Sequence, residues 1–413
     1  ITVTATATSK EYGASDSTFG YTITSGSLVA GDSLSGALSR ASGENVGTYA
    51  MTIGSLANAN YNISFTSANL TITQRPITVT AAAKTKEYGA SDPSLTYSVT
   101  TGSLVGSDQL SGALTRVSGE NVGTYAITVG SLANSNYDIT YSGALLTVTQ
   151  RPITVTADAK SKEYGATDPS LTYTVTTGSL VSGDSLTGSL TRTSGDTVGT
   201  YTISRGTLAN SNYAITFVNG TFTVTKRAIT VTADAQTKQY GATDPTLSWS
   251  ITTGSLVGSD QLSGLLTRAS GANVGTYAIS IGTLDNSNYD ITYVGADLTI
   301  TAKPITVTPD AQTKQYGAAD PSFTYSITTG SLELGDSLSG ALSRASGTDV
   351  GTYAITIGTL ANSNYSITLA SASLTITQRP ITLTADDKTI TYGDSEPSLT
   401  YTVTSGSVVG SDT

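Results

Sequence analysis

The sequence contains no cysteine and no histidine among its 413 residues. Without cysteine there are no disulfides, no thiolate nucleophiles and no zinc sites of the Cys/His type. Without histidine there is no Ser–His or Cys–His dyad to activate a nucleophile. We therefore predict no catalytic residue, no cofactor-binding residue and no metal-binding residue, and we expect a protein that is not an enzyme.

Charge is also scarce. Asp, Glu, Lys and Arg make up 12% of the residues, against about 25% in an ordinary soluble domain. The net charge is -10, so the basic surface that nucleic acid requires is missing. No apolar run approaches the ~18 residues of a membrane-spanning helix. We expect neither nucleic-acid binding nor membrane insertion within this segment.

A long internal repeat organises the chain. The phrase I-T-V-T or I-T-L-T begins at Ile1 and returns every 76 residues, up to Ile381. We predict five complete repeats and one partial repeat, each complete repeat folding around its own small core. Their boundaries are residues 1–76, 77–152, 153–228, 229–304, 305–380 and 381–413. Because Ile1 begins a repeat in frame and Thr413 lies inside one, we expect the chain to be a piece of a longer protein.

Apolar residues alternate with Ser and Thr throughout each repeat. In the second repeat, Ile77 and Val79 alternate with Thr78 and Thr80. Such period-two runs of β-branched and aromatic residues, bounded by Gly, Asn and Asp, indicate half-buried strands. No stretch has helical periodicity. We predict an all-β tandem array of small antiparallel β domains with six or seven strands each.

The phrase V-G-T-Y places a tyrosine at the start of a strand, just after a bend that contains glycine. This arrangement is typical of the tyrosine corner of immunoglobulin-like sandwiches, in which the hydroxyl binds upstream backbone. An immunoglobulin-like sandwich is therefore favoured, with a β-grasp domain as the alternative. The predicted corner tyrosines are Tyr49, Tyr125, Tyr201, Tyr277 and Tyr353.

A Tyr-Gly pair recurs in every repeat and is mostly followed by Asp-Pro. Glycine supplies a positive φ and proline favours a turn, so this segment is predicted to join the first strand to the second. Its glycines in the complete repeats are Gly13, Gly89, Gly165, Gly241 and Gly317.

The junctions between repeats are short. They read L-T-V-T-Q-R-P-I-T-V-T, which leaves about three residues between strands and no flexible linker. Proline fixes φ at four of the five junctions: Pro76, Pro152, Pro304 and Pro380. We expect a semi-rigid, elongated rod whose most compliant junction is the one where Ala228 replaces proline.

The recurring motifs resemble one known family. Tyr12-Gly13-Ala14 with its copies, the L-x-G-x-L-x-R and V-G-T-Y-A-I phrases, N-x-N-Y-x-I-T and L-T-[IV]-T occur in fixed order, and together they resemble the MBG domain of YGX type. The resemblance covers essentially the whole chain. It implies a tandem array in a large bacterial surface protein, including adhesins similar to filamentous haemagglutinin, and it supplies no catalytic residues. The departures are Ile390, in place of Lys or Gln, and Ala228.

Two series of aspartates recur once per repeat, and both are open to two interpretations. Turn capping is favoured over calcium binding, because no D-x-D-x-D-G run supplies the several clustered carboxylates that calcium needs. The first series is Asp16, Asp92, Asp168, Asp244 and Asp320. The second is Asp32, Asp108, Asp184, Asp260, Asp336 and Asp412.

Lysine and tyrosine also recur at fixed positions. Lys10, Lys86, Lys162, Lys238 and Lys314 are predicted to be solvated at strand ends, rather than cross-linked to Asn58 and its counterparts. Tyr61, Tyr137, Tyr213, Tyr289 and Tyr365 are predicted to lie in the core, rather than to stack on sugars. Arg205 stands where the other repeats have Ile or Val, and it is predicted to extend its charge to solvent at a strand end.

We predict a non-enzymatic structural repeat region, a stalk or spacer, in an extracellular adhesin of a bacterial cell surface. Two alternatives stay open: a subunit of an extracellular filament or sheath, and a multivalent module that binds glycan or protein. Self-association, other surface proteins and glycans stay open as partners.

Overall fold

A computed structural model describes residues 1–413. It contains strands and no helix, which confirms the predicted all-β repeat array. The chain divides into two compact units. The first comprises Ile1–Ser161, Asp168–Gly195 and Thr200–Thr223, and the second comprises Lys162–Thr167, Asp196–Gly199 and Val224–Thr413.

Each complete repeat has seven strands. The first repeat contains β1 Thr2–Ala5, β2 Thr8–Glu11, β3 Tyr21–Ser25, β4 Ser39–Arg40, β5 Gly47–Thr52, β6 Ser64–Thr66 and β7 Asn69–Thr73. The second contains β8 Arg75–Ala81, β9 Lys84–Glu87, β10 Tyr97–Thr101, β11 Thr115–Arg116, β12 Gly123–Thr128, β13 Tyr137–Ser142 and β14 Ala144–Thr149. The third contains β15 Arg151–Ala157, β16 Lys160–Glu163, β17 Tyr173–Thr177, β18 Thr191–Arg192, β19 Gly199–Ser204, β20 Tyr213–Val218 and β21 Gly220–Thr225.

The remaining repeats follow the same order. The fourth contains β22 Arg227–Ala233, β23 Gln236–Gln239, β24 Trp249–Thr253, β25 Thr267–Arg268, β26 Gly275–Ser280, β27 Tyr289–Val294 and β28 Ala296–Thr301. The fifth contains β29 Lys303–Pro309, β30 Gln312–Gln315, β31 Tyr325–Thr329, β32 Ser343–Arg344, β33 Gly351–Thr356, β34 Tyr365–Leu369 and β35 Ser373–Thr377. The partial repeat contains the antiparallel pair β36 Thr382–Ala385 and β37 Tyr401–Ser405.

The strands of a repeat form two sheets, ordered β10-β8-β13 and β11-β12-β14-β9 in the second repeat. The β8–β13 and β9–β14 pairs are parallel, so the prediction of antiparallel domains is wrong for these two pairs. Strands β8 and β9 are consecutive in the chain but lie in different sheets, and so are β13 and β14. After a long crossover, β13 returns to lie beside β8 in one sheet and β14 lies beside β9 in the other, and parallel pairing requires such a crossover. The sandwich class stays a prediction.

The core follows the predicted alternation. In the second repeat, Ile77 and Val79 of β8, Ile127 of β12, and Leu146 and Val148 of β14 are at most 2% exposed. Burying such a side chain contributes about 1.5–3 kcal/mol. The threonines between them point to the other side of each sheet, as a period of two requires.

In the first unit, the apolar core continues from one repeat into the next. One cluster of contacting buried side chains contains Val3 and Leu70 of the first repeat together with Val79 and Leu146 of the second. Tyr12 belongs to the same cluster. This differs from the expected separate cores, because neighbouring repeats share buried contacts.

One strand in each repeat was not predicted. In the second repeat it is β9, which contains no apolar residue and pairs with β14. Its inward residue is Lys86, which is 7% exposed. The Tyr88-Gly89 turn therefore joins the second strand to the third, rather than the first to the second as predicted.

At the first four junctions, the strands of neighbouring repeats are separated by a single residue. Strand β7 ends at Thr73 and β8 begins at Arg75, so the predicted gap of about three residues is too long there. Four residues separate β35 from β36. Pro76 is the second residue of β8, and pairing with β10 starts only at Thr78. That end of the strand tolerates a residue without an N–H. Pro152 and Pro304 hold the same place in β15 and β29, and Pro380 precedes β36.

Candidate functional site at the joints between repeats

The tyrosine of the Tyr-Gly turn contacts the repeat that follows it. In the first unit, the Tyr12 hydroxyl donates to Asp108 Oδ2 across 2.9 Å, and the Tyr137 hydroxyl donates to the same oxygen across 2.7 Å. The Tyr137 hydroxyl also accepts the N–H of Val105 at 2.7 Å. The two rings meet edge to face with centroids 5.5 Å apart, a favoured geometry for aromatic pairs. We call this set of contacts a joint.

Four joints share this geometry, two within each unit, and they are numbered in chain order. They consist of Tyr12, Asp108 and Tyr137; Tyr88, Asp184 and Tyr213; Tyr164, Asp260 and Tyr289; and Tyr240, Asp336 and Tyr365. The second tyrosine of each joint is between 1% and 6% exposed. The predicted core position of these tyrosines is therefore confirmed, and their rings are not available for stacking on a sugar.

The glycine of the Tyr-Gly turn is needed for two reasons. Gly13 has a φ of +80°, which side chains other than glycine rarely adopt. A Cβ atom at Gly13 would also lie 2.4 Å from Cγ2 of Val105. Gly89 stands in the same relation to Val181, again at 2.4 Å. The turn and the next repeat approach too closely for any side chain.

An asparagine amide forms a second bridge across the joint. The N–H of Val46 donates to Asn136 Oδ1 at 3.0 Å, and Asn136 Nδ2 donates to Asn45 Oδ1 at 3.1 Å. The backbone N–H of Asn136 donates to Asn134 Oδ1, which fixes the bridging residue in its own loop. The same valine–asparagine bond recurs at Val122–Asn212, Val198–Asn288 and Val274–Asn364.

The joint holds its tyrosines in the neutral form. The hydrogen bond to Asp108, followed by burial, raises the pKa of Tyr12. Burial, followed by the bond to Asp336, raises the pKa of Tyr365 to about 12. An ionised tyrosine could not donate to the carboxylate and would repel it. In each joint, two neutral tyrosine hydroxyls therefore donate to one aspartate carboxylate.

A cluster of ion pairs lies beside the Tyr-Gly turn of each complete repeat. Lys86 Nζ lies 2.6 Å from Asp92 and 2.5 Å from Glu120, and Arg116 contacts both carboxylates. The corresponding lysine side chains are between 4% and 11% exposed. The prediction of solvated lysines is therefore wrong, because the lysine is the inward residue of a strand. These lysines are Lys10, Lys86, Lys162, Lys238 and Lys314.

The charges of this cluster disfavour an amide cross-link. Burial lowers the pKa of Lys86, but its bonds to Asp92 and Glu120 outweigh burial and raise it overall. Arg116, followed by Lys86, lowers the pKa of Asp92 to about 2. The amine is thus protonated and the carboxylates are ionised, whereas a nucleophilic lysine must be neutral. The cluster holds the turn in place by ion pairing.

Comparison with protein families adds a decisive match. The sequence profile described as MBG domain (YGX type) matches residues 1–71, 77–147, 153–223, 229–299 and 305–375. The chain belongs to the MBG domain family of YGX type. The matches begin at the first residue of each complete MBG repeat. A comparison with functionally curated proteins finds no match.

Among solved structures, the extracellular cadherin domains 1–5 of protocadherin gamma B2 match 81% of this chain and 86% of that chain, at 10% identity and a TM-score of 0.16. A score this low carries no argument about the MBG repeats. The structure has no helix with the length and apolar character that a membrane span requires.

In the MBG repeats, the V-G-T-Y tyrosine binds the bend before its own strand. The Tyr49 hydroxyl donates to the backbone oxygen of Asn45 across 2.7 Å, and Arg40 lies 5.4 Å from the ring centroid. The bend contributes Asn45 and Val46 to the bridge with Asn136, so Tyr49 is placed to position half of that bridge. Tyr125, Tyr277 and Tyr353 bond Asn121, Asn273 and Asp349 in the same way. Tyr201 is half-buried, with Arg192 5.4 Å from its ring centroid.

Both aspartate series make side-chain contacts that the sequence analysis missed. Asp16 pairs with Lys10 and Arg40, and Asp32 accepts the Tyr61 hydroxyl at 2.8 Å. Ion pairing and tyrosine binding thus replace the predicted turn capping as their main contacts. No group of acidic side chains is arranged to hold a metal ion, and indifference to calcium stays a prediction.

The remaining predicted positions have local backbone partners. Asn58 donates to Ser33 O and accepts the N–H of Asn60. Arg205 Nε donates to Leu208 O at 2.7 Å, so its predicted extension to solvent is replaced by a bond to its own turn.

Proposed function

We propose that the chain is a non-enzymatic stalk or spacer region of a bacterial extracellular surface adhesin. Family membership indicates a structural repeat region of a surface protein, and the adhesin context and the spacer role are added by the proposal. The observation that supports it is the joint. Polar side chains that recur in the repeats, such as Tyr88, Asp184 and Asn212, form hydrogen bonds with the neighbouring repeat.

The joint suits a load-bearing spacer because it restrains the relative movement of two repeats. Each joint combines an aromatic pair, two bonds to one carboxylate and an amide bridge, while a single residue separates the strands. Hydrogen bonds to a charged group contribute about 1.5–3 kcal/mol each. A repeat with such contacts transmits force and orientation to its neighbour.

Small-angle scattering of the chain tests the proposal. We expect an elongated particle of roughly 150–220 Å, taking about 30–40 Å per repeat from strands and turns together. Replacing the acceptor aspartates (Asp108→Ala, Asp184→Ala, Asp260→Ala and Asp336→Ala) should broaden the distance distribution without unfolding the strands. A compact particle, or a distribution unchanged by the four substitutions, would contradict the proposed role of the joints.

A further inference from the structure

The fourth joint, between the fourth and fifth repeats, differs from the others at two positions that touch. Glu333 stands where the other repeats have Val29, Val105, Val181, Val257 and Val409. Lys303 stands where they have Arg75, Arg151, Arg227 and Arg379. The structure brings these two exceptions together within the fifth repeat, because Lys303 Nζ of β29 lies 2.5 Å from Glu333 Oε1. The pair meets the fourth repeat through the Glu333 carboxylate.

The exchange replaces an apolar contact by a charged one at the joint surface. At the first joint, Val105 lies against Gly13, and Arg75 bonds Ser103 Oγ. At the fourth joint, the Glu333 carboxylate lies against Gly241, where a Cβ would be only 2.2 Å from Oε1.

The remaining contacts of the fourth joint are retained. Tyr240 and Tyr365 bond Asp336, and the N–H of Val274 donates to Asn364 Oδ1. The joint therefore keeps its tyrosine and asparagine bonds, while its contact at Gly241 becomes charged.

We propose that the fourth joint is a salt-sensitive hinge, which goes beyond the spacer role. The Lys303 and Glu333 side chains are 22% and 37% exposed, so dissolved ions reach their pair. The Debye length falls from about 10 Å at 0.1 M salt to about 3 Å at 1 M. Apolar packing of the kind made by Val105 is not screened. Because the pair with Lys303 holds the Glu333 carboxylate against Gly241, salt that weakens the pair releases the carboxylate and loosens the fourth joint, while the valine joints stay closed.

The absence of cysteine allows a direct measurement with spin labels. The double variant Ala278→Cys/Ala354→Cys labels exposed sites on both sides of the fourth joint, and Ala50→Cys/Ala126→Cys labels the equivalent sites around the first. An exposed ion pair of this kind corresponds to roughly a 1.4- to 5-fold change in an equilibrium. We expect the open population at the fourth joint to rise by that factor between about 0.1 M and 1 M salt, with no rise at the first.

Reciprocal exchange provides the matched control. Lys303→Arg with Glu333→Val should abolish the salt response of the fourth joint, and Arg75→Lys with Val105→Glu should create one at the first. Equal salt responses at both joints, or a response at the fourth joint that survives the exchange, would overturn the proposal. Broad distributions at both joints at every salt concentration would instead contradict the spacer function, so the two failures are distinguishable.

Discussion

Tyr12 of the first repeat donates its hydroxyl to Asp108 of the second across 2.9 Å. The residue after Tyr12 is the glycine whose missing side chain gives Val105 room to approach. The Tyr-Gly signature is therefore used between repeats as well as within its own turn.

Gly89→Ala should open the second joint. Alanine in the left-handed region costs roughly 1–2 kcal/mol, and its Cβ would also collide with Val181. We expect faster hydrogen exchange at Val181 and Tyr213 in the next repeat. Gly393→Ala is the control, since its φ is +97° with no atom within 4 Å of the added Cβ. If Gly89→Ala accelerates exchange only within its own turn, the close approach of Val181 is not the reason that this position requires glycine.

Tyr125→Phe should loosen the bend that leads to the second joint. The substitution removes the bond from the Tyr125 hydroxyl to Asn121 O, which contributes about 1 kcal/mol. We expect faster exchange at the N–H of Val122, which donates to Asn212. Tyr97→Phe, at an exposed position of β10, is the control. An equal loss of stability in every repeat would show that the effect is not local.

Alkaline pH should weaken the joints before the strands separate. The folded pKa of Tyr365 is about 12, above the value near 10 expected for an unfolded chain. The folded state therefore holds a proton that the unfolded state has lost, so this contribution is complete below about pH 10 and disappears as the pH rises through about 12. Tyrosinate absorbance should show a second titration phase at higher pH than the first, and Asp336→Asn should lower the apparent pKa of that second phase. A single titration near pH 10 would contradict this account.

The sequence predicted the strands well wherever their inward residues are apolar. Ile77, Val79, Leu146 and Val148 are buried as the alternation requires. Strand β9 was missed because its inward residue is Lys86, whose charge is compensated by Asp92 and Glu120. The alternation of apolar and polar residues is the same in parallel and antiparallel strands, so the parallel pairs could not be predicted either.

The joints were missed for a different reason. Their residues lie far apart in the sequence, and each has an adequate local explanation, as a turn glycine, a core tyrosine or a turn aspartate. One signal was nevertheless present in the sequence. Glu333 and Lys303 depart from the repeat pattern together, and paired departures of opposite charge indicate contact, here within the fifth repeat beside the fourth joint.

The junction with Ala228 provides the last prediction. The sequence predicts that Ala228→Pro narrows the range of bend angles between the third and fourth repeats, because proline fixes φ. In the structure, the Ala228 N–H donates to Glu163 Oε1 at 3.1 Å, and proline would remove that bond. The gain in stiffness and the lost bond oppose each other, so we expect little change in the wild-type background.

Glu163→Ala separates the two effects. In that background the hydrogen bond is already absent, so Ala228→Pro should narrow the distance distribution between spin labels at Thr202→Cys and Ala278→Cys. Equal narrowing in both backgrounds would show that the Glu163 bond does not stiffen the junction. No narrowing in either would mean that proline is not the stiffener at Pro76, Pro152 and Pro304 either, because those residues hold the same strand position as Ala228.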